Sequence, residues 1–190
     1  MNRIALALTL LLSACSTERA RPPLEGAAIG GPFTLTNGQG QTVTDRTFAG
    51  RWRIMYFGYT FCPDVCPTDM ANLAGGLREL AKTDAAKAKN IALVFVSVDP
   101  QRDTPPVVKQ FAAAFGPQAI GLTGTQAQVD AIKKAYAVYS RKRDGSSPSA
   151  YLVDHSRGTY LMDPQGKPVA LLPSEQSPAA VADALRKWVT

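Results

Sequence analysis

Three residues in this chain carry side chains suited to redox or soft-metal chemistry. Cys62 and Cys66 stand four apart in the stretch FCPDVCP, and His155, the single histidine, stands in YLVDHSRGTYLM. Each of the two cysteines is followed at once by proline. A residue before proline avoids the helical region, whereas proline itself suits the first position of a helix. The pattern predicts a helix that starts just after Cys66, with the CPDVC turn folded over its amino end. Unpaired N–H groups and the positive end of the helix dipole at such a place stabilise thiolates and lower thiol pKa values. Asp69, in the predicted first turn, complements the same dipole.

The spacing leaves three chemistries open. With one residue more between the cysteines than a C-x-x-C redox motif has, the sulfurs can diverge enough to act as two ligands of a soft ion. They can still approach for a disulfide after modest rearrangement. A purely structural disulfide is the weaker reading, because closing so short a loop removes little unfolded-state entropy. A lone histidine in a loop is more often solvated than a ligand. His155, however, falls between two strand candidates of an α/β pattern, where functional residues gather at one end of the sheet. Two thiolates and one imidazole suit Cu(I) or a Cu(II)–thiolate centre better than structural zinc, which takes four ligands, although water can fill zinc's fourth place.

The elements that must position these residues follow from hydrophobic pattern. Phe33 to Thr36 and Gln41 to Thr44 bracket Asn37-Gly38, a hairpin signal, and Trp52 to Tyr59 reads as a strand that leads straight into the cysteines. Met70, Leu73, Ala74, Leu77, Leu80 and Ala81 recur at helical spacing, which predicts a helix from Pro67 to about Lys82 that Gly75-Gly76 weakens. Ile91 to Val98 is an almost unbroken apolar run, as a central parallel strand requires. Thr104 and Pro105 open a further helix that Gly116 stops. A short strand at Ala119 to Thr123, a helix from Thr125, a loop at Ser140 to Ser149 and strands at Ala150 to Asp154, Thr159 to Met162 and Pro168 to Leu172 come next. A helix from Pro178 to Val189 closes the order. The fold class is α/β, with a central mixed sheet flanked by helices.

The 190 residues, 45% of them apolar, suffice for one domain with a proper core. Lys and Arg outnumber Asp and Glu by 21 to 15, but the basic residues are scattered apart from Arg141, Lys142 and Arg143. No nucleic-acid partner is expected. At the amino end, Arg3, an apolar run from Ile4 to Leu12 and then small residues read as an export signal, with a run too short to span a bilayer. Leu12 to Cys15 resembles the lipobox of bacterial lipoproteins, in which cleavage precedes a cysteine that is lipidated. The expected organisation is a lipoprotein signal at 1–14, a lipidated tether at 15–31 anchored through Cys15, and one domain at 32–190. Outside the cytosol, the remaining cysteine pair tends toward a disulfide unless a reductant or metal protects it.

Three segments together carry a specific resemblance: YFGYTFCPDVCPTDM at 56–70, VFVSVDPQRDTP at 94–105 and YLVDHSRGTYLMDPQGK at 151–167. They resemble the Sco/SenC copper-binding proteins, which are thioredoxin-like and membrane-tethered, and the likeness covers nearly all of the chain from Pro32 onward. It implies that Cys62, Cys66 and His155 bind one copper ion, as Cu(I) or Cu(II), for delivery to the copper A site of cytochrome c oxidase subunit II. It also implies work at the bacterial cell membrane, facing the periplasm, with another copper chaperone or a thioredoxin-like reductant as further partners. Asp64 and Asp99 match positions expected to tune the site from behind the ligands. Phe61 stands where the family often has histidine, and 140–149 lacks its usual Lys-Val-Pro run, although Arg141, Lys142 and Arg143 suit an acidic surface. The competing reading is an enzyme. One form is a periplasmic thiol-disulfide oxidoreductase working through Cys62 and Cys66; a weaker one is a thiol peroxidase that gathers Thr60 and Arg102 around its cysteine.

Overall fold

The computed structural model describes residues 20–143, 145 and 150–190; the export segment and Cys15 lie outside the described residues. Two apolar strands form the floor of the molecule, β3 (Trp52–Gly58) and β4 (Ile91–Ser97), and every residue in both is buried. They pair in parallel in the register Trp52 to Ile91 through Gly58 to Ser97. Burying side chains such as Ile54, Phe57, Leu93 and Phe95 contributes about 1.5–3 kcal/mol each, which makes this pair the rigid reference for everything attached to its ends.

Around the floor the chain adds β1 (Thr34–Asn37), β2 (Thr42–Thr44), β5 (Ala119–Thr123), β8 (Thr159–Met162) and β9 (Pro168–Leu171), in the order β2-β1-β5-β4-β3-β8-β9. β4 and β5 are parallel, while β1 on β5, β8 on β3 and β9 on β8 are antiparallel. The sheet is therefore mixed, with the expected parallel centre and antiparallel edges. Helices α1 (Val65–Thr83), α3 (Pro105–Ala113), α4 (Gln126–Ala135) and α5 (Pro178–Trp188) accompany it, with a short α2 (Ala85–Lys89) after α1. Gly75-Gly76, read from sequence as a weakness in α1, has a packing reason. A Cβ on Gly76 would collide with the Val181 side chain and one on Gly75 would lie 2.8 Å from Pro178, so α1 and α5 approach closely only because both are glycine.

Two departures from the sequence reading bear on the site. Residues 140–143, read as part of a loop, form strand β6 (Ser140–Arg143), which pairs antiparallel with β7 (Leu152–His155) from Ser140 opposite His155 to Arg143 opposite Leu152. The four polar residues SRKR carry no alternation because most of the strand is exposed, so no pattern betrays it. This ribbon is a separate two-stranded sheet. In addition, the chain is held to the domain before Pro32: Leu24 N–H donates to the Val169 carbonyl at 3.1 Å and Gly30 N–H to the Ala135 carbonyl at 2.9 Å, while Leu24 and Ile29 pack on the core. No helix among the described residues is long and apolar enough to cross a membrane.

Candidate metal centre

The cysteines are set by the end of β3 and the start of α1. Helix α1 begins at Val65, two residues before the predicted start, so Cys66 lies inside its first turn. Pro67 permits this because the first four N–H groups of a helix have no partner within it, and a missing one there costs no bond. Burial outweighs the pre-proline preference: the Cys66 side chain is fully buried, packed with the core beneath Gly58. A Cβ on Gly58 would lie 2.7 Å from Cys66 Sγ and 2.9 Å from the Tyr56 ring. Glycine at the end of β3 is what lets the sulfur sit there.

The two thiols occupy opposite electrostatic settings. Partial burial of Cys62 works against its thiolate, but the backbone N–H groups of Asp64, Cys66 and Val65 at the open end of α1 outweigh it and pull the thiol below its ordinary range. Cys66 is pushed up to about 12, chiefly by burial, although the Tyr59 N–H and the Tyr56 hydroxyl lie within hydrogen-bond reach of its sulfur. At neutral pH one sulfur is poised as a nucleophile and its neighbour keeps its proton.

His155 comes from the last residue of β7. Its Nδ1 lies 3.0 Å from the Ser156 carbonyl, which can only accept, so that nitrogen carries the proton. Nε2 is left with its lone pair 3.3 Å from Cys66 Sγ, which donates to it. Burial lowers the imidazole pKa and keeps the ring neutral at pH 7, while Tyr59 packs edge-on at 5.9 Å between ring centroids. The ligand atoms of Cys62, Cys66 and His155 all lie within 4.8 Å of one another. A soft cation entering among them would take the place of the Cys66 proton, and a carbonyl-held imidazole behind it is the usual support of a ligating histidine.

Buried acids, whose partners sequence reasoning did not supply, tie the site together. Asp69, read from sequence as a first-turn acid that complements the helix dipole, is fully buried. It accepts from the Tyr56 hydroxyl at 3.1 Å and from Arg157 at 2.7 and 3.2 Å, and so links α1, three residues beyond Cys66, to the segment two residues beyond His155. Asp103, also buried, accepts from the Thr60 hydroxyl at 2.6 Å, the Thr60 N–H at 3.1 Å and the Ser97 hydroxyl at 2.6 Å, which ties the loop before Cys62 to the end of β4. Burial raises its pKa against those donors. Asp99 accepts from Arg102 at 2.6 Å and from the Tyr151 hydroxyl at 2.7 Å, so it acts on the loop end of the ribbon. The Asp64 carboxylate is exposed; it is that residue's N–H that serves Cys62. Thr60 and Arg102, the pair a peroxidase would gather at its cysteine, are thus bonded to Asp103 and Asp99, and the Arg102 guanidinium lies 4.8 Å from the centre of the exposed Phe61 ring. Only the acids and tyrosines themselves were visible as signals; their partners stand as far as 88 residues away.

The chain is similar to known proteins in sequence and fold. The family model described as SCO1/SenC matches residues 21–190. Protein SenC of Rhodobacter capsulatus is 45% identical over 159 residues, which cover 84% of this chain and 70% of that one. The mitochondrial SCO1 homologue 1 of Arabidopsis thaliana is 40% identical over 144 residues, and there the match spans 42% of the relative's length. Among solved structures, Arabidopsis thaliana ScoI with copper bound superposes with a TM-score of 0.78 at 36% identity, covering 84% of this chain and 96% of that one. A thioredoxin domain from Bacteroides vulgatus, 18% identical with a TM-score of 0.57 over 85% of this chain and 96% of that one, shows the thioredoxin-like fold.

Proposed function

We propose, since the chain belongs to the SCO1/SenC family, that it is a copper metallochaperone serving cytochrome c oxidase assembly. Cys62, Cys66 and His155 take up one copper ion and hand it to the copper A centre of oxidase subunit II. The observation that carries this reading is the convergence of two sulfurs and one unprotonated imidazole nitrogen within 4.8 Å, in a fold shared with a 36% identical relative whose structure was solved with copper bound. Copper is cargo here. Cys62, exposed enough to meet a donor and inclined to the thiolate, makes the first bond; Cys66 gives up its proton, and His155 Nε2 supplies the third ligand. Three donors leave the ion open to an incoming thiolate of the acceptor, so transfer proceeds by ligand exchange. The test is copper titration of the reduced protein beside its His155→Ala variant. One copper with sulfur and nitrogen coordination, bound at least about tenfold more weakly by the variant, supports the proposal, and no uptake by the parent sinks it.

The contrast between the two thiols favours a second role for the same pair, as a disulfide reductase preparing the acceptor. The Cys62 thiolate attacks one sulfur of the acceptor disulfide and the other sulfur leaves as a thiolate; Cys66, deprotonated as it attacks, then displaces the acceptor's remaining sulfur from Cys62. Two electrons pass to the acceptor, the Cys62–Cys66 disulfide forms, and a thioredoxin-like reductant restores it. Reduction of an oxidised acceptor peptide by copper-free protein, unaffected by His155→Ala, would identify this role. Placement completes the proposal: Cys15, lipidated, anchors the domain at the bacterial cell membrane facing the periplasm, where another copper chaperone loads it. The mass of the amino-terminal peptide of the mature protein tests that anchor.

A further inference from the structure

Strand β3 runs from Trp52 to Gly58, and the chain leaving its far end carries Cys62. The Trp52 end lies about 20 Å away and bears an open cavity of about 640 Å³, lined among others by Trp52, Trp188, Pro22, Val169 and Lys187. Both tryptophans of the chain are in that lining. Lys187 Nζ lies 4.6 Å from the centre of the Trp188 ring. Lys187 is the one cation in the lining, and further cations adjoin lining residues along the chain: Arg21 next to Pro22, Arg51 next to Trp52, and Lys167, whose carbonyl accepts from the Asp163 N–H. Asp163 is the one acidic side chain in the lining. Ala20, the first described residue, lines the same cavity, and the nineteen residues before it include the apolar run Ile4 to Leu12.

From this we infer that the pole opposite the three ligands is a docking face for an anionic phospholipid bilayer. Tryptophan beside lysine is the pairing that seats at a bilayer interface, with the ring at headgroup level and the ammonium on phosphate. Basic residues around an interfacial patch add attraction to anionic lipid. The direction of the chain argues for lipid over a protein partner, because it leaves the domain from within this face. In the part that rests on the proposed anchor, Ala20 lies five residue steps from a lipidated Cys15, a reach of at most about 18 Å. The tryptophan pole is then held against the membrane, and the Cys62 pole faces away from it.

The test uses the full-length protein reconstituted in vesicles that contain brominated phosphatidylcholine, with or without phosphatidylglycerol, and reads tryptophan fluorescence. Quenching is expected to be about threefold stronger with phosphatidylglycerol, to fall to the phosphatidylcholine level in an Arg21→Glu, Lys187→Glu double variant, and to be largely lost in Trp188→Phe. Cys62 should react with a membrane-impermeant maleimide equally well with and without vesicles. Equal quenching in both lipids, untouched by charge reversal, would overturn the inference in favour of anchoring alone. Shielding of Trp188 from iodide in the Cys15→Ser chain without vesicles would overturn it in favour of the chain's own amino-terminal segment filling the cavity. The peptide mass that tests lipidation is read separately, so failure of the anchor and failure of the face are distinguishable.

Discussion

The two cysteines and the histidine are held by parts of the molecule built in different ways. Cys62 and Cys66 follow a fully buried strand at the centre of a seven-stranded sheet, and Cys66 is locked against Gly58 and Tyr56. His155 ends a two-stranded ribbon, half of it exposed, that belongs to no part of that sheet. Polar bonds fasten the ribbon at both ends: Tyr151 to Asp99 and Arg102 at the end of its connecting loop, and Arg157 to Asp69 beyond the His155 end. The pair of sulfurs is thus a rigid half-site, whereas the imidazole is brought to it by the packing of Tyr151 and Val153 on the core and by polar bonds that can be cut one at a time. A protein that must both hold and release an ion benefits from one fixed half and one detachable half, since release then requires no disturbance of the core.

The largest expected effect lies inside the rigid half. With Cys66 near 12 and Cys62 below the ordinary thiol value of about 8.5, their thiolate fractions at pH 7 differ by more than three powers of ten. Stronger intrinsic nucleophilicity of the more basic sulfur returns nearly half of that gap on a logarithmic scale, leaving a rate ratio of about 10² or more. Iodoacetamide labelling of the reduced, metal-free protein, read by peptide mass, should show Cys62 reacting that much faster. Its rate should level off at a lower pH than a free thiol's, while Cys66 is still accelerating at pH 10. Comparable rates would remove the asymmetry on which the proposed reductase role depends. Next in size, Gly58→Ala places a methyl group 2.7 Å from Cys66 Sγ. Overpacking of this kind costs about 1–3 kcal/mol. A lower urea midpoint together with weakened copper uptake is expected, and an unchanged midpoint would show that the sulfur is not locked.

The join between the halves comes third. Asp69→Asn keeps the shape and an acceptor for Tyr56 but removes the charge that holds Arg157. A fully buried pair broken this way loses about 3–5 kcal/mol. Arg157 keeps 45% of its side chain in water, so about 2 kcal/mol is the expected loss. If His155 is held through this pair, copper leaves the variant faster while the alkylation rate of Cys62 stays the same. A change in both would mean that the halves are not separable.

How much of this was legible in the sequence follows the same division. β3, β4, α3, α4 and α5 were readable because burial writes periodic apolar patterns, and the cysteines and histidine were readable by type. The ribbon's first strand was not, since SRKR faces solvent and burial leaves no period in it. The start of α1 was misplaced because a local preference at Cys66 yields to burial that no local rule contains. Asp69 with Arg157, Asp103 with Thr60 and Tyr151 with Asp99 join residues 88, 43 and 52 apart, and a single sequence names the members without pairing them. Asp99 was picked out because it matches a position of the family the chain resembles, yet Asp103, four residues on, is the acid that reaches the loop before Cys62.

The smallest expected effect, and the one that sharpens the contrast most, is at the loop end of the ribbon. The Tyr151 hydroxyl donates to Asp99 Oδ1 at 2.7 Å, its carbonyl accepts from Arg102 at 3.0 Å, and its ring lies between Arg102 at 3.5 Å and Lys142 of β6 at 3.8 Å. Tyr151→Phe deletes only the first of these. A bond to a carboxylate is worth about 1.5–3 kcal/mol, but Asp99 keeps Arg102 as its ion-pair partner, so a loss near the lower end, about 1–1.5 kcal/mol, is expected. The loss should not spread evenly. Amide exchange in β6 and β7 should quicken by about tenfold while β3 and β4 stay protected, because the ribbon shares no ladder with the sheet. Uniform loosening of all four strands would mean that the ribbon opens only together with the sheet, and that His155 is as fixed as the sulfurs it faces.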